Sequence, residues 1–274
     1  MEVMDMLLKE LEIKNENSLD YAHATLYAHE DTEALELHER PVVVISPGGG
    51  YGHTSDRESE IVALQFLAMG YHAVVLRYSC NPALYPTALL EFAKTVKEVR
   101  THAREWHIDP DKVFVLGFSA GAHLVSCFCT FWEQPFLREA LGCGKEDLRP
   151  NGQILCYPVI TSGEYAHDGS FHMLLGDAYE EKKESLSMEK QVNDSIPRTF
   201  VWHTFADQAV PVQNSLLYVS ALAAHGIPVE YHLFEKGRHG LSLGSRLSSG
   251  ENDREVEPVV EPWISLVHTW MGKL

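Results

Sequence analysis

The hydrophobic positions of this chain fall into short apolar runs separated by stretches with helical spacing. PVVVIS (41–46), HAVVLRYS (72–79), DPDKVFVLGF (109–118), GQILCYPV (152–159), RTFVWHT (198–204) and VEYHLFE (229–235) are rich in β-branched and aromatic residues and have strand length. Between them lie SEIVALQFLAMG (59–70), which stops at Gly70, then a long segment from about Pro86 to His107, then AGAHLVSCFCTF (120–131) and VQNSLLYVSALAAHG (212–226). In the long segment Leu89, Phe92, Ala93, Val96 and Val99 share one helical face. A final helix is predicted within PVVEPWISLVHTWMGKL (258–274). Strands that read as continuous apolar runs and alternate with helices predict a parallel sheet covered on both faces. Two further strands, around LEIKN (11–15) and ATLYAHE (24–30), are expected as antiparallel edge strands. Residues 161–195 break the rhythm with polar and charged positions and are predicted to form an excursion above the sheet. That excursion is too short for a domain of its own, so residues 1–274 read as one α/β domain.

The pattern places chemistry at strand ends. Gly117-Phe118-Ser119-Ala120-Gly121 fits Gly-x-Ser-x-Gly, and it lies where an apolar strand meets a helix. A serine at such a turn projects its hydroxyl at the carboxyl end of the sheet, beside helix N–H groups suited to an anion. The plain alternative is a glycine-rich turn without chemistry. A serine nucleophile needs a base, and the chain order Ser, acid, His directs the search downstream. Asp207 follows the strand of FVWHTFADQAVPV, and His239 follows the last strand in FEKGRHGLSL. His239 is expected to move the proton and Asp207 to orient the imidazole. Taken alone, Asp207 would read as a cap ahead of Pro211 and His239 as one of 15 histidines; Asp194 is the rival acid, but it precedes its strand. SPGGGYG (46–52) follows the first strongly apolar strand and predicts an oxyanion hole built from the N–H groups of Gly49, Gly50 and Ala120. Tyr51, beside the glycines, is expected to line the acyl pocket. Tyr78, Tyr157, Tyr165, His53, His167, His172 and His203 are expected near the mouth or in ordinary packing. HDGSFH (167–172) lacks a familiar ligand spacing, so neither a metal nor another cofactor is expected.

Charge and cysteines narrow the class. Lys+Arg 22 against Asp+Glu 39 gives a net charge of −17, which disfavours nucleic acid and anionic membrane surfaces as partners. The 5 cysteines, with no second pair to make a zinc site, are expected as reduced and mostly buried thiols. MEVMDMLLKELEIKNEN lacks a basic start and a long apolar run, so the expectation is a cytoplasmic protein without a signal peptide.

Together VVVISPGGGY, YPTALLEFAKTVKEVR, GFSAGAHL, FVWHTFADQAVPVQNSLLYVSAL and FEKGRHGLSLG resemble the serine-dependent α/β-hydrolases, within them the acetyl esterase and xylan esterase-like group. The resemblance covers nearly the whole chain. It implies a mostly parallel sheet of about eight strands, a short cap and a Ser119–His239–Asp207 triad. It also implies cofactor-independent hydrolysis of a small carboxylic ester, such as an acetylated xylo-oligosaccharide, and leaves homo-oligomerisation open. Pro47 departs from the lipase relatives, which carry histidine there. An arylformamidase or a peptidase on the same fold is the nearest rival, and a non-catalytic ligand-binding relative is the rival of a different class.

Overall fold

The computed structural model describes residues 6–273. Residues 1–5 of the acidic N-terminal stretch and Leu274, the end of the expected final helix, lie outside them. Eight strands form a single sheet in the order β1-β2-β4-β3-β5-β6-β7-β8. They are β1 (Met6–Leu11), β2 (His23–His29), β3 (Arg40–Ser46), β4 (His72–Arg77), β5 (Ile108–Phe118), β6 (Gly152–Cys156), β7 (Thr199–Thr204) and β8 (Val229–Phe234). The β1–β2 and β2–β4 pairings are antiparallel and every other pairing is parallel, so β2 alone runs against the rest.

Side-chain alternation along the strands explains why their sequences read as unbroken apolar runs. Val42, Val44, Val74, Leu76, Val113, Val115, Leu155 and Val201 pack into the core on one face. Val43, Ile45, Ala73, Val75, Phe114, Leu116, Ile154, Phe200 and Trp202 pack into the core on the other. Each central strand therefore buries both of its faces. The first face is covered by α2 (Thr87–Thr101), α3 (Ala120–Phe131) and α7 (Gln213–Ala224), through residues such as Leu89, Phe92, Val96, Val125, Phe128 and Leu222. The second is covered by α1 (Glu60–Ala68) and α8 (Trp263–Met271), through Val62, Phe66, Trp263, Val267 and Trp270. No helix among the described residues is long and apolar enough to cross a membrane.

Four details differ from the sequence expectations. The first strand is 6–11 and not 11–15, because Asn15, Asn17 and Ser18 fold into a side-chain-bonded turn. The helix expected to run to His107 ends at Thr101; the His102 ring stacks on Trp106 with centroids 4.7 Å apart, and His107 adopts φ +54 to turn the chain into β5. An unanticipated helix, α4 (Pro135–Leu141), starts on a proline at its first turn and ends on Gly142 at φ +57. The final helix begins only at Trp263, after Pro262. Residues 161–195 hold α5 (Asp168–Leu175), α6 (Tyr179–Lys182) and several 3-10 turns. Cys80, Cys127, Cys129 and Cys156 are buried free thiols and Cys143 is half-buried.

The connections after β3 and β5 leave in opposite directions, to β4 on one side and to β6 on the other. This is a topological switch point, the place where open α/β sheets bind ligands outside the carboxyl ends of their strands. The loop after β3 carries the three glycines and the turn after β5 carries Ser119.

Trp263 and Trp202 are fully buried and stack with centroids 5.5 Å apart beneath that end of the sheet. Trp263→Ala is expected to cost about 3–5 kcal/mol of stability, read as a lower urea midpoint by far-UV circular dichroism.

Candidate active site

Ser119 closes β5 and caps α3 with φ +53 and ψ −117, a conformation that a residue with a side chain adopts only under constraint. Two close approaches impose it. A Cβ on Gly117 would lie 2.4 Å from the Gly121 carbonyl oxygen and 2.5 Å from Ala122 Cα. A Cβ on Gly121 would lie 2.2 Å from the Ser46 oxygen and 2.3 Å from the Pro47 oxygen. The glycines of Gly-x-Ser-x-Gly are thus required by packing of the turn against its own helix and against the end of β3. Backbone bonds pin the turn further, from Ser119 N–H to the Cys156 oxygen at 3.0 Å and from Val159 N–H to the Ser119 oxygen at 3.1 Å.

A serine at a helix N-cap usually gives its oxygen to the first free N–H groups of the helix. Ser119 does not cap α3 with its side chain. Its Oγ lies 2.7 Å from His239 Nε2, and His239 Nδ1 lies 2.6 Å from Asp207 Oδ2. The structure therefore brings the three predicted side chains into one hydrogen-bonded row. Ser119 and Asp207 are 8% and 7% exposed, so the row is largely shielded from water at both ends. Asp207 does not cap α7, whose N-cap is Val212; its Oδ1 instead closes the turn ahead of Pro211 by accepting the N–H groups of Ala209 and Val210 at 2.9 and 3.0 Å. The rival Asp194 is on the surface with its side chain 97% exposed, 3.9 Å from His225.

A further histidine acts on this acid. His203 is fully buried, with Nε2 3.2 Å from Asp207 Oδ2 and 3.1 Å from the Val210 oxygen. Both partners accept, so Nε2 carries the proton, and Nδ1 accepts from the Ser215 hydroxyl at 2.7 Å. Burial holds the His203 imidazole below its ordinary pKa, against the pull of Asp207. For Asp207, burial pushes the pKa up, but the hydrogen bonds from His203 and His239 and the imidazole charge outweigh it and hold the carboxyl below the usual carboxylate range. In the sequence His203 reads as part of a strand, where no spacing rule pairs it with Asp207.

The glycine loop lies against the turn because Ser46 pairs with Gly117 across β3 and β5. Gly48 N–H is engaged by Glu58 Oε2 at 2.8 Å. The N–H groups of Gly49, Gly50, Tyr51 and Ala120 donate to no protein acceptor among the described residues. The expected donors Gly49, Gly50 and Ala120 are thus free for a ligand oxygen, and Tyr51 N–H joins them. The Tyr51 side chain departs from expectation. It is 3% exposed, beneath the loop and away from an open pocket, because φ +60 turns it inward to meet His123 Nδ1 at 2.8 Å. Tyr78, Tyr157 and His203 are likewise buried under the site.

His123 also bonds the Leu186 carbonyl of the excursion through Nε2 at 2.8 Å. The excursion is held down again by Tyr85 N–H on the Leu174 oxygen and by Asn214 Nδ2 on the Tyr165 oxygen, at 2.9 and 2.8 Å. Ser170 on α5 would stand 3.7 Å from a Cβ on Gly50, so α5 comes close to the glycine loop at that point. The two histidines of HDGSFH diverge, His167 onto Ser170 and His172 onto Tyr179. No cluster of three or more His, Cys, Asp or Glu suited to a metal occurs among the described residues.

The strand order and the Ser119 turn define the α/β-hydrolase fold, and solved structures with that architecture align over almost the whole chain. The carboxylesterase Cest-2923 from Lactobacillus plantarum WCFS1 superposes with a TM-score of 0.83 at 29% identity, covering 98% of each chain. The acetyl ester-xyloside bifunctional hydrolase from Caldicellulosiruptor lactoaceticus does so with a TM-score of 0.80 at 33% identity, covering 97% of this chain and 96% of that one. Residues 31–222 match the BD-FAE profile, and the chain belongs to that family. It is 35% identical over 217 residues to endo-1,4-beta-xylanase B of Butyrivibrio fibrisolvens, and 30% identical over 212 residues to an acetylxylan esterase of Xylanibacter ruminicola. Those alignments cover 76% and 74% of this chain but only 33% and 41% of the relatives, which are longer proteins.

Gly121→Ala is expected to lower stability by about 3 kcal/mol, the upper range for overpacking, or to prevent folding. Gly142→Ala, where a Cβ meets nothing within 4 Å, is expected to cost about 1 kcal/mol for its left-handed backbone alone; urea unfolding of both variants compares them. Burial lowers the imidazoles of His123 and His72 from 6.5 to about 4, so both stay neutral in the fold while the unfolded chain protonates them. Their contribution is complete above pH 6.5 and is lost as pH falls toward about 4. The urea midpoint should decline across that window, and less steeply in His123→Gln.

Proposed function

We propose that this protein is a serine esterase that removes small acyl groups, acetyl foremost, from a carbohydrate hydroxyl. The observation that carries the reading is the Ser119 hydroxyl, left unused by its own helix and hydrogen-bonded to His239 Nε2 at 2.7 Å. As His239 accepts its proton, Ser119 Oγ attacks the ester carbonyl carbon. The carbonyl oxygen becomes an oxyanion held by the free N–H groups of the glycine loop and Ala120. The bond from carbon to the alcohol oxygen then breaks, and His239 returns its proton to that oxygen. The acyl group stays on Ser119 until water, deprotonated by His239, releases it as the acid. Asp207 stays ionised throughout and holds the imidazole in the tautomer that receives from Ser119.

The alcohol must leave on the His239 side, because that imidazole protonates it. A cleft of 530 Å³ borders His239, lined by Ala206, Gln208, Ala209, Arg238, Arg254 and Glu257, and its mixture of polar groups and apolar surface suits a sugar-like leaving group. On the other side Ser170 of α5 stands close to Gly50, which favours a short acyl chain. The net charge of −17 favours neutral substrates over polyanions. The acetylxylan esterase and the acetyl ester-xyloside hydrolase among the relatives support acetylated xylo-oligosaccharides as the first substrates to try.

The test is hydrolysis of p-nitrophenyl acetate, p-nitrophenyl butyrate and acetylated xylo-oligosaccharide by wild type and Ser119→Ala. Wild type should prefer acetate and release acetate from the oligosaccharide. Ser119→Ala should lose about three orders of magnitude or more in kcat. Faster turnover of butyrate would overturn the short-acyl reading, and a fully active Ser119→Ala would overturn the mechanism.

A further inference from the structure

A buried row of hydrogen bonds joins the glycine loop to the loop that carries His239. Glu58, in the 3-10 turn that follows the glycine loop, is 3% exposed. Its Oε2 accepts Gly48 N–H at 2.8 Å and its Oε1 accepts the Tyr157 hydroxyl at 2.6 Å. The same hydroxyl accepts Ser242 N–H at 2.9 Å, three residues beyond His239. The Tyr157 ring stands edge-on to the His239 imidazole with centroids 5.0 Å apart.

Each link is tightly specified. A Cβ on Gly48 would lie 2.8 Å from Glu58 Oε2 and 3.0 Å from Ser119 Cβ, so the carboxylate reaches the loop only because no side chain stands between. Tyr157 is held at φ +37, in the left-handed region, which turns its phenol toward Glu58. Burial, and then the Glu58 carboxylate, raise that phenol well above its ordinary pKa, so it remains a donor. Pro47 offers no side-chain anchor where the lipase relatives carry histidine. The loop is held from below instead, by Glu58 on Gly48 and by the Tyr78 hydroxyl on the Pro47 oxygen at 2.9 Å.

We propose that Glu58 and Tyr157 are positioning residues that set the distance between the oxyanion-binding N–H groups and His239, so that the donors and the base are placed as one unit. The proposal rests on the esterase reading above. A residue that only supports the fold changes the melting temperature and leaves the turnover of folded protein unchanged. A residue that sets transition-state geometry lowers kcat with KM held, because the lost interaction is made only in the transition state.

The experiment measures kcat and KM for p-nitrophenyl acetate at 25 °C, with Tm, for wild type, Ser119→Ala, Tyr157→Phe, Glu58→Gln and the double variant. Tyr157→Phe keeps the ring and removes one oxygen. It should lose about 10- to 100-fold in kcat, less than the ~10²–10³ lost on removing an oxyanion donor, with KM within about twofold. The double variant should be no slower than the slower single, because the two residues form one row. If Glu58→Gln does not fold, Tyr157→Phe alone decides. If Ser119→Ala is inactive and Tyr157→Phe turns over like wild type, the esterase reading stands and the positioning role falls. Losses that multiply in the double variant also overturn the coupling. If Ser119→Ala keeps wild-type turnover, both readings fall together.

Discussion

The close approach of two backbones, where β3 and β5 end side by side, governs the rest of the site. Gly121 sits so near the Ser46 and Pro47 carbonyls that a single methyl group would not fit. That contact fixes the turn holding Ser119 and sets the glycine loop beside it. The sheet serves this contact. Its central strands are buried on both faces, so their register cannot slip without moving apolar side chains into the wrong core.

Around this contact the polar groups are shared, each holding more than one element. Asp207 uses one oxygen for its own turn and the other for two imidazoles. His123 ties Tyr51 in the glycine loop to Leu186 in the excursion, and burial keeps it neutral while it does so. Sharing satisfies buried polar atoms with few side chains. It also means that no loop around the site can shift without disturbing a bond made by another.

The sequence made the central strands, their helices and the Ser, Asp, His order legible, because each is written locally. Apolar runs reveal strands buried on both faces, and Gly-x-Ser-x-Gly encodes a packing requirement within five residues. What escaped depends on distance through space. His203 reads as a strand residue, and only the fold shows that its ring supports Asp207. Tyr51 follows three glycines and so reads as pocket lining, yet its backbone conformation turns it inward. Glu58 stands in a charged segment, DRESE, that carries no recognisable motif, and its partners lie at positions 48 and 157. The ends of elements also depart from periodicity where a side-chain turn intervenes, at Asn15 to Ser18, and where the backbone turns left-handed, at His107.

The site draws its parts from widely separated stretches. Ser119 and His239 are 120 residues apart, and Ser242 bonds the Arg57 carbonyl across 185 residues. The histidine loop is seated on Tyr157 and on Trp263 of α8, whose indole N–H bonds the Ser242 oxygen at 3.0 Å. During synthesis the Ser119 turn is therefore made long before the loop of His239, and that loop finds its full seat only once α8 has been made and packed.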